Sequence, residues 1–131
     1  MFILGGSDIK DNFSRRTTLF SKYQRFLDKP PMNLARGFFP SIFCISDSCL
    51  YVFGGHDGFS DLSECERYSI QDNAWKKIPP MRVRRNGASV VAFDRVIFVF
   101  GGNNQQHGSL DSIERFAVEF DKWSVVRVRL K

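Results

Sequence analysis

Two acid–base couples stand out in the 131-residue chain, Glu66-Arg67 and Glu114-Arg115. General acid–base chemistry needs titratable groups that converge on one substrate. Neighbours in an extended chain point to opposite faces, so neither couple converges, and a structural role is expected for both. His56 and His107 bring no third ligand with them, too few donors for a metal centre. Cys44, Cys49 and Cys65 cannot all pair with one another, and their spacing lacks the paired-ligand pattern of zinc. Buried, reduced thiols are the expectation. No Gly-rich phosphate loop, nucleophile elbow or pair of catalytic carboxylates occurs. The chain is therefore assigned no catalytic residue, no metal and no cofactor.

Charge suggests another class of function. Nineteen Lys and Arg oppose fourteen Asp and Glu, for a net charge of +5 and a pI near 9.4. The basic residues are spread out, with short clusters only at Arg15-Arg16, at Arg82 to Arg85 and at the last residues. That distribution favours a solvated basic surface over a nucleic-acid patch, which would concentrate charge on one face. The start MFIL has no basic leader and is too short for a signal-peptide core. No apolar run is long enough to span a bilayer. A cytoplasmic protein without membrane attachment is expected.

The elements that position these residues come from a repeat. Adjacent glycines end apolar runs at Gly5-Gly6, Gly54-Gly55 and Gly101-Gly102, 49 and 47 residues apart. Glu66-Arg67-Tyr68, six residues and Trp75 follow the second pair; Glu114-Arg115-Phe116, six residues and Trp123 follow the third. After the first pair the corresponding places are read as Leu19 and Phe26. Pro30-Pro31-Met32 and Pro79-Pro80-Met81 then recur, each Met followed four positions on by an arginine, Arg36 or Arg85. Such register defines the unit from which the fold is assembled.

Within a unit the chemistry is that of strands. Ala88 to Phe93 is a run of small and β-branched residues, and Asp94-Arg95 separates it from Val96-Ile97-Phe98-Val99-Phe100 in the manner of a hairpin. The second run is apolar at every position, which predicts a strand covered on both faces. Helical periodicity is absent. Aromatic residues make up 15% of the chain, including 14 Phe, and each ring buries about 150–250 Å². Four short strands per unit, with many flat aromatic contacts, predict a propeller blade.

These units resemble kelch repeats, whose signature is a diglycine ending the second strand, then an aromatic, six residues and a tryptophan. Gly54, Gly55, Tyr68 and Trp75 match it in full. Gly101, Gly102, Phe116 and Trp123 match with one conservative change, and Gly5, Gly6, Leu19 and Phe26 only in apolar character. The resemblance implies an all-β fold, a kelch-type β-propeller built of four-stranded antiparallel blades. It also implies that Tyr68 and Trp75 need the space that side chains at Gly54 and Gly55 would fill. The units run over 1–28 (a partial blade without its inner strand), 36–78 and 85–131. Pro40 falls in the inner strand of the second, an edge strand that can lose a donor.

A closed ring takes about four to eight blades, so two complete blades and one partial blade make an incomplete arc with apolar end faces. A fragment of a longer protein or a truncated gene product is expected before self-association. Further kelch blades, in a longer chain or in a second copy, would cover the ends. By resemblance, kelch loops beyond the second strand hold protein ligands, and arginines opening the inner strand can bind acidic peptide segments through bidentate contacts. The expected partner-binding residues are Ser7, Asp8, His56, Asp57, Asn103 and Asn104 with Arg36 and Arg85. For the arginines the alternative is pairing with local acids. The implied function is a non-catalytic protein–protein interaction module. Its expected setting is the substrate-adaptor portion of a longer ubiquitin-ligase protein, although nothing here resembles a BTB or F-box region. The alternatives are a kelch-fold enzyme of the copper-oxidase or sugar-epimerase type, and nucleic-acid binding through the basic surface, with steep salt dependence.

Overall fold

The computed structural model describes residues 1–6, 12–21 and 25–127, and every described element is a strand. The first sheet is three-stranded, with β1 (Phe2–Leu4), β2 (Thr17–Phe20) and β3 (Phe26–Lys29) in that order. The second holds β4 (Ser41–Cys44), β5 (Cys49–His56), β6 (Asp61–Ser69) and β7 (Ala74–Ile78) in sequence. In the third, β8 (Ser89–Phe93), β9 (Val96–Phe100), β12 (Ile113–Ala117) and β13 (Lys122–Val126) repeat the plan. A two-residue ladder, β10 (Asn103–Asn104) with β11 (Gly108–Ser109), decorates the loop that follows β9. All pairings are antiparallel, and the three sheets are the blades of an open arc.

Local chemistry sets the turns. Asn73 and Asp121 occupy the same place in the two outer hairpins at φ of 50° and 49°, and Asp94 turns the β8–β9 hairpin at 57°. Asn and Asp tolerate this left-handed region because their short side chains bond the local backbone. Pro40 sits one residue before β4, an edge strand, and its carbonyl accepts the Phe53 N–H at 3.2 Å.

Blades meet through rings and indoles. Trp75 donates Nε1–H to the Pro30 carbonyl at 2.9 Å and to Thr17 Oγ1 at 3.1 Å, and Trp123 donates to the Pro79 carbonyl at 2.7 Å. Phe2 lies 5.7 Å from Tyr68, and one junction later Tyr51 lies 6.0 Å from Phe116. The main core fills the second junction, where Tyr51, Phe53, Cys65, Ile97, Val99 and Phe116 are buried.

Three expectations change. In the first blade Phe20, not Leu19, stands opposite Phe26, as Tyr68 stands opposite Trp75. The Phe20–Phe26 rings lie 5.0 Å apart at 47°, close to the 5.4 Å and 46° of Tyr68–Trp75. The outer hairpin is one residue shorter there, which displaced the sequence alignment. Second, β9 is not covered equally on its two faces: Ile97 and Val99 are fully buried, whereas on the other face Val96 and Phe98 are half-buried and Phe100 is 39% exposed. Third, what crowds the glycines is backbone rather than Tyr68 and Trp75. A Cβ on Gly54 would stand 2.5 Å from the Arg85 carbonyl oxygen and 2.8 Å from that of Leu62, and one on Gly55 would stand 2.5 Å from the Gly37 oxygen.

Gly101 has the same left-handed φ, 69°, but its nearest neighbour would be the Leu110 oxygen at 3.7 Å. Gly101→Ala therefore meets only the conformational penalty, about 1 kcal/mol, while Gly54→Ala adds backbone overlap and should lose about 3 kcal/mol or more. Urea denaturation of the two variants measures the difference; equal losses would refute the backbone-contact account.

Candidate docking face

Arg36 and Arg85 lie inside the protein, at 0% exposure. Arg36 donates from Nη1 to the carbonyls of Gly54 and Glu64, both at 2.8 Å, and from Nη2 to Glu66 Oε2 at 2.8 Å. Glu66 also accepts the main-chain N–H of Asn33 at 2.7 Å and of Leu34 at 3.1 Å. The third blade repeats the arrangement. Arg85 donates to the Gly101 and Ser112 carbonyls at 3.0 and 2.9 Å and to Glu114 Oε2 at 3.0 Å. Glu114 takes the N–H of Arg82 at 2.6 Å and of Val83 at 3.3 Å. A buried charge survives only when it is paired and hydrogen-bonded, and both guanidiniums find an internal carboxylate, with every nitrogen bonded in Arg85 and all but Nε in Arg36. The expectation that the two guanidiniums face a partner is corrected: they clamp the linking segment to its own blade. Arg67 turns to the other face and pairs with Asp121 of the next blade at 2.8 Å.

The loop residues divide. Asp57 Oδ1 accepts the N–H groups of Ser60 and Phe59, both at 2.8 Å, and these bonds hold its carboxyl below the usual carboxylate range. Asn104 is buried, donating to the Arg84 carbonyl and accepting from the His107 N–H, both at 2.8 Å. Asp57 and Asn104 thus shape loops. Asn103 is exposed, and its main chain bridges Asn86. His56 is half-buried, accepts the Gly58 N–H on Nδ1 at 3.0 Å and meets the Phe13 ring edge-on at 5.8 Å. Ser7 and Asp8 lie outside the described residues.

Other residues complete the face. Phe13, Phe38, His56, Gly58 and Asn86 line a shallow apolar depression. Asn86 donates to Asp61, and Asp61 accepts the Gln105 N–H at 2.9 Å. Asp61 is also in the wall of the adjoining groove, with Arg82, Arg84, Asn104 and Gln105. Arg82 and Arg84 are exposed and form no ion pair among the described residues. Exposure alternates along the linking segment, where Arg85 is buried and Val83 half-buried while Arg82 and Arg84 are exposed.

Phe38 carries a further mark. Its φ is +53°, and the position one repeat later is Gly87, at +64°. A bulky residue in this region is a true outlier, yet the ring is 67% exposed and meets the Phe13 ring edge-on at 5.8 Å.

The repeat geometry agrees with comparison to known proteins. A family model described as the Kelch motif matches residues 43–82 and 84–127. The chain belongs to the kelch-repeat family. It is 28% identical over 114 residues to Kelch-like protein 25 of Rattus norvegicus, covering 79% of this chain and 19% of that protein. With Kelch-like protein 23 of Homo sapiens it shares 35% over 78 residues, 59% of this chain and 13% of the relative. With Kelch-like protein 25 of Xenopus tropicalis it shares 24% over 135 residues, 95% of this chain and 23% of the relative. The chain therefore spans about a fifth of the length of the curated relatives it matches. Kelch repeats of such proteins generally mediate protein–protein interaction and are typically non-catalytic. Among the described residues no helix is long and apolar enough to cross a membrane.

The kelch core also sets the ionisation of its thiols. Burial pushes Cys65 up to about 12, and burial with the nearby Asp47 carboxylate pushes Cys49 up to about 11. Burial and the Asp47 hydrogen bond raise the Tyr51 phenol as well. Each folded-state value lies above its unfolded one, so the stability these groups lend is complete below the unfolded value and drains as pH rises through the folded one. The urea midpoint should hold up to about pH 8 and decline by about pH 10, where unfolded thiols ionise and buried ones do not. Cys65→Val should flatten that decline; an unchanged slope would show that the buried thiol contributes nothing to it.

Proposed function

We propose that this kelch segment is a non-catalytic docking module that takes an acidic, extended segment of a partner protein across the Phe38 depression and the Arg82–Arg84 groove. The observation that carries the reading is Phe38. Its left-handed backbone costs the fold about 1–3 kcal/mol, and glycine fills the equivalent position one repeat later. Its exposed ring recovers little of that cost through packing. Strain kept without a folding benefit marks a site kept for contact. Two unpaired guanidiniums in the next groove supply charge for carboxylates, and an aromatic edge supplies an anchor for an apolar side chain. We further place the module in the cytoplasm, as the substrate-adaptor portion of a longer protein. Reduced thiols support the compartment, the short span of its relatives supports the longer parent, and the adaptor role follows from family resemblance alone.

The test uses a labelled peptide of alternating Glu and Gly with a single central Leu, and a Lys-for-Glu control. Anisotropy titration should give saturable binding of the acidic peptide only. Arg82→Glu with Arg84→Glu should weaken it at least tenfold, about 1.4 kcal/mol. Phe38→Gly should weaken binding too while stabilising the fold by about 1 kcal/mol. Equal binding of both peptides, or an unaltered affinity in the double reversal, would remove the proposal.

A further inference from the structure

Two of the three cysteines face each other across a hairpin. Cys44 ends β4 and Cys49 begins β5, and the register sets them directly opposite one another. Opposed residues of an antiparallel pair point their side chains to one face, with Cα atoms about 4.5–5.5 Å apart. A disulfide spans Cα atoms about 4.4–6.8 Å apart, so the main chain already stands within its reach. Both thiols lie in the core between the second and third blades. Cys65 shares that core, but it sits on β6 opposite Phe53.

The pair is accessible and uncommitted. Cys49 is 7% exposed, yet with Ser46, Asp47 and Arg67 it lines a groove of about 620 Å³ that brings solvent to it. The Cys49 thiol donates to the Asp47 carbonyl at 3.5 Å, and Cys44 Sγ lies 3.0 Å from Ser46 Oγ. Both are weak contacts within the hairpin turn, so exchanging them for a covalent bond disturbs no other blade. Movement is available as well. Opposed Cβ atoms stand about 4.5–5.5 Å apart and a disulfide needs about 3.5–4.5 Å, so the strands must close by about 1 Å. Strand β4 is the edge of its sheet and only four residues long, and Ile45 after it is 84% exposed. Pro40 before it has no N–H to add to the ladder.

We propose that Cys44 and Cys49 form a reversible disulfide clasp, closed by a peroxide and opened by a small thiol, that pins β4 to β5. The Cys49 thiolate attacks one peroxide oxygen, forming an S–O bond as the O–O bond breaks and hydroxide leaves. The Cys44 thiolate then attacks the sulfenic sulfur, forming the S–S bond and releasing a second hydroxide. The two thiol protons end on these hydroxides, so two thiols become one disulfide and one peroxide becomes two waters. Two equivalents of the small thiol reverse the step and become a disulfide themselves. Burial and the Asp47 carboxylate oppose the Cys49 thiolate, with Arg67 favouring it, so the dithiol is the resting state of a reducing compartment. The clasp is separate from the loop-face reading.

The test treats the folded 131-residue chain with millimolar hydrogen peroxide at mildly alkaline pH. The product is unfolded in excess iodoacetamide and cleaved before Asp47, Asp57 and Asp61, which puts the three cysteines on separate peptides. Mass spectrometry should find the Cys44 and Cys49 peptides linked, with alkylation confined to Cys65, and dithiothreitol should restore three alkylated thiols. Amide exchange across residues 41–44 should slow by about fivefold or more on closure. A link from Cys65 to either thiol, a disulfide-joined dimer, sulfinic acid without a link, or three free thiols after exhaustive treatment would each overturn the proposal. So would a linked pair whose β4 exchange is unchanged.

Discussion

One residue type sews each blade to the one before it. The Arg85 side chain enters its own blade, where Glu114 and the carbonyls of Gly101 and Ser112 hold it. Its carbonyl turns back to the second blade and accepts the Gly55 N–H at 2.7 Å. Arg36 does the same one repeat earlier, with its side chain on Glu66 and its carbonyl taking the Gly6 N–H at 3.3 Å. Burying the two charges of such a pair costs several kcal/mol per ion, recovered only when geometry and further hydrogen bonds are good. Here each carboxylate also takes two linking-segment N–H groups, so the pair fixes the register of the segment as well as its depth. Losing either partner would strand the other charge in the interior, which is why the cost falls on the whole junction.

The rest of the arc follows from that fixed segment. Because the Arg85 carbonyl comes so close to Gly54, only glycine fits there, and because it comes close the indole of Trp123 can reach the Pro79 carbonyl across the same junction. With Arg85 buried, Arg82 and Arg84 stand exposed, in the groove beside Asp61. The loop face is in this sense a by-product of the clamp. The same alternation that buries one arginine presents two others, and it places Phe38 and Gly87 at corresponding turns of the chain, one ring and one bare backbone.

Much of this could be read from residue order. The spacing of the three diglycines defined three units, and hairpin punctuation at Asp94-Arg95 located β8 and β9. Register within the first unit was less visible, because a hairpin shortened by one residue moves the aromatic from the Tyr68 frame to Phe20 without changing the apolar pattern. The fate of Arg36 and Arg85 was the harder matter. An arginine looks alike in sequence whether it meets a partner or a buried glutamate, and the deciding carboxylate lies 30 or 29 residues further along the chain. The candidate face was legible only as a loop cluster. Phe13, Phe38, Arg82 and Arg84 come together through tertiary approach, and the strain at Phe38 is a backbone property that composition does not display.

Completeness of the clamp also grades the stability of the arc. Arg85 satisfies every guanidinium nitrogen, including Nε on Glu114 Oε2 at 3.2 Å, whereas Arg36 Nε is buried without a partner. The junction between the second and third blades holds the main core, with Tyr51, Phe53, Ile97, Val99 and Phe116 at 0% exposure. The first blade offers Thr17 and Thr18 in the strand where the second offers Cys65 and Glu66, and its Phe26 is 67% exposed where Trp75 is seated on the Pro30 carbonyl. Local opening takes its free energy from buried apolar contact and from main-chain bonds shielded from water. On both counts the first blade opens before the second and third separate.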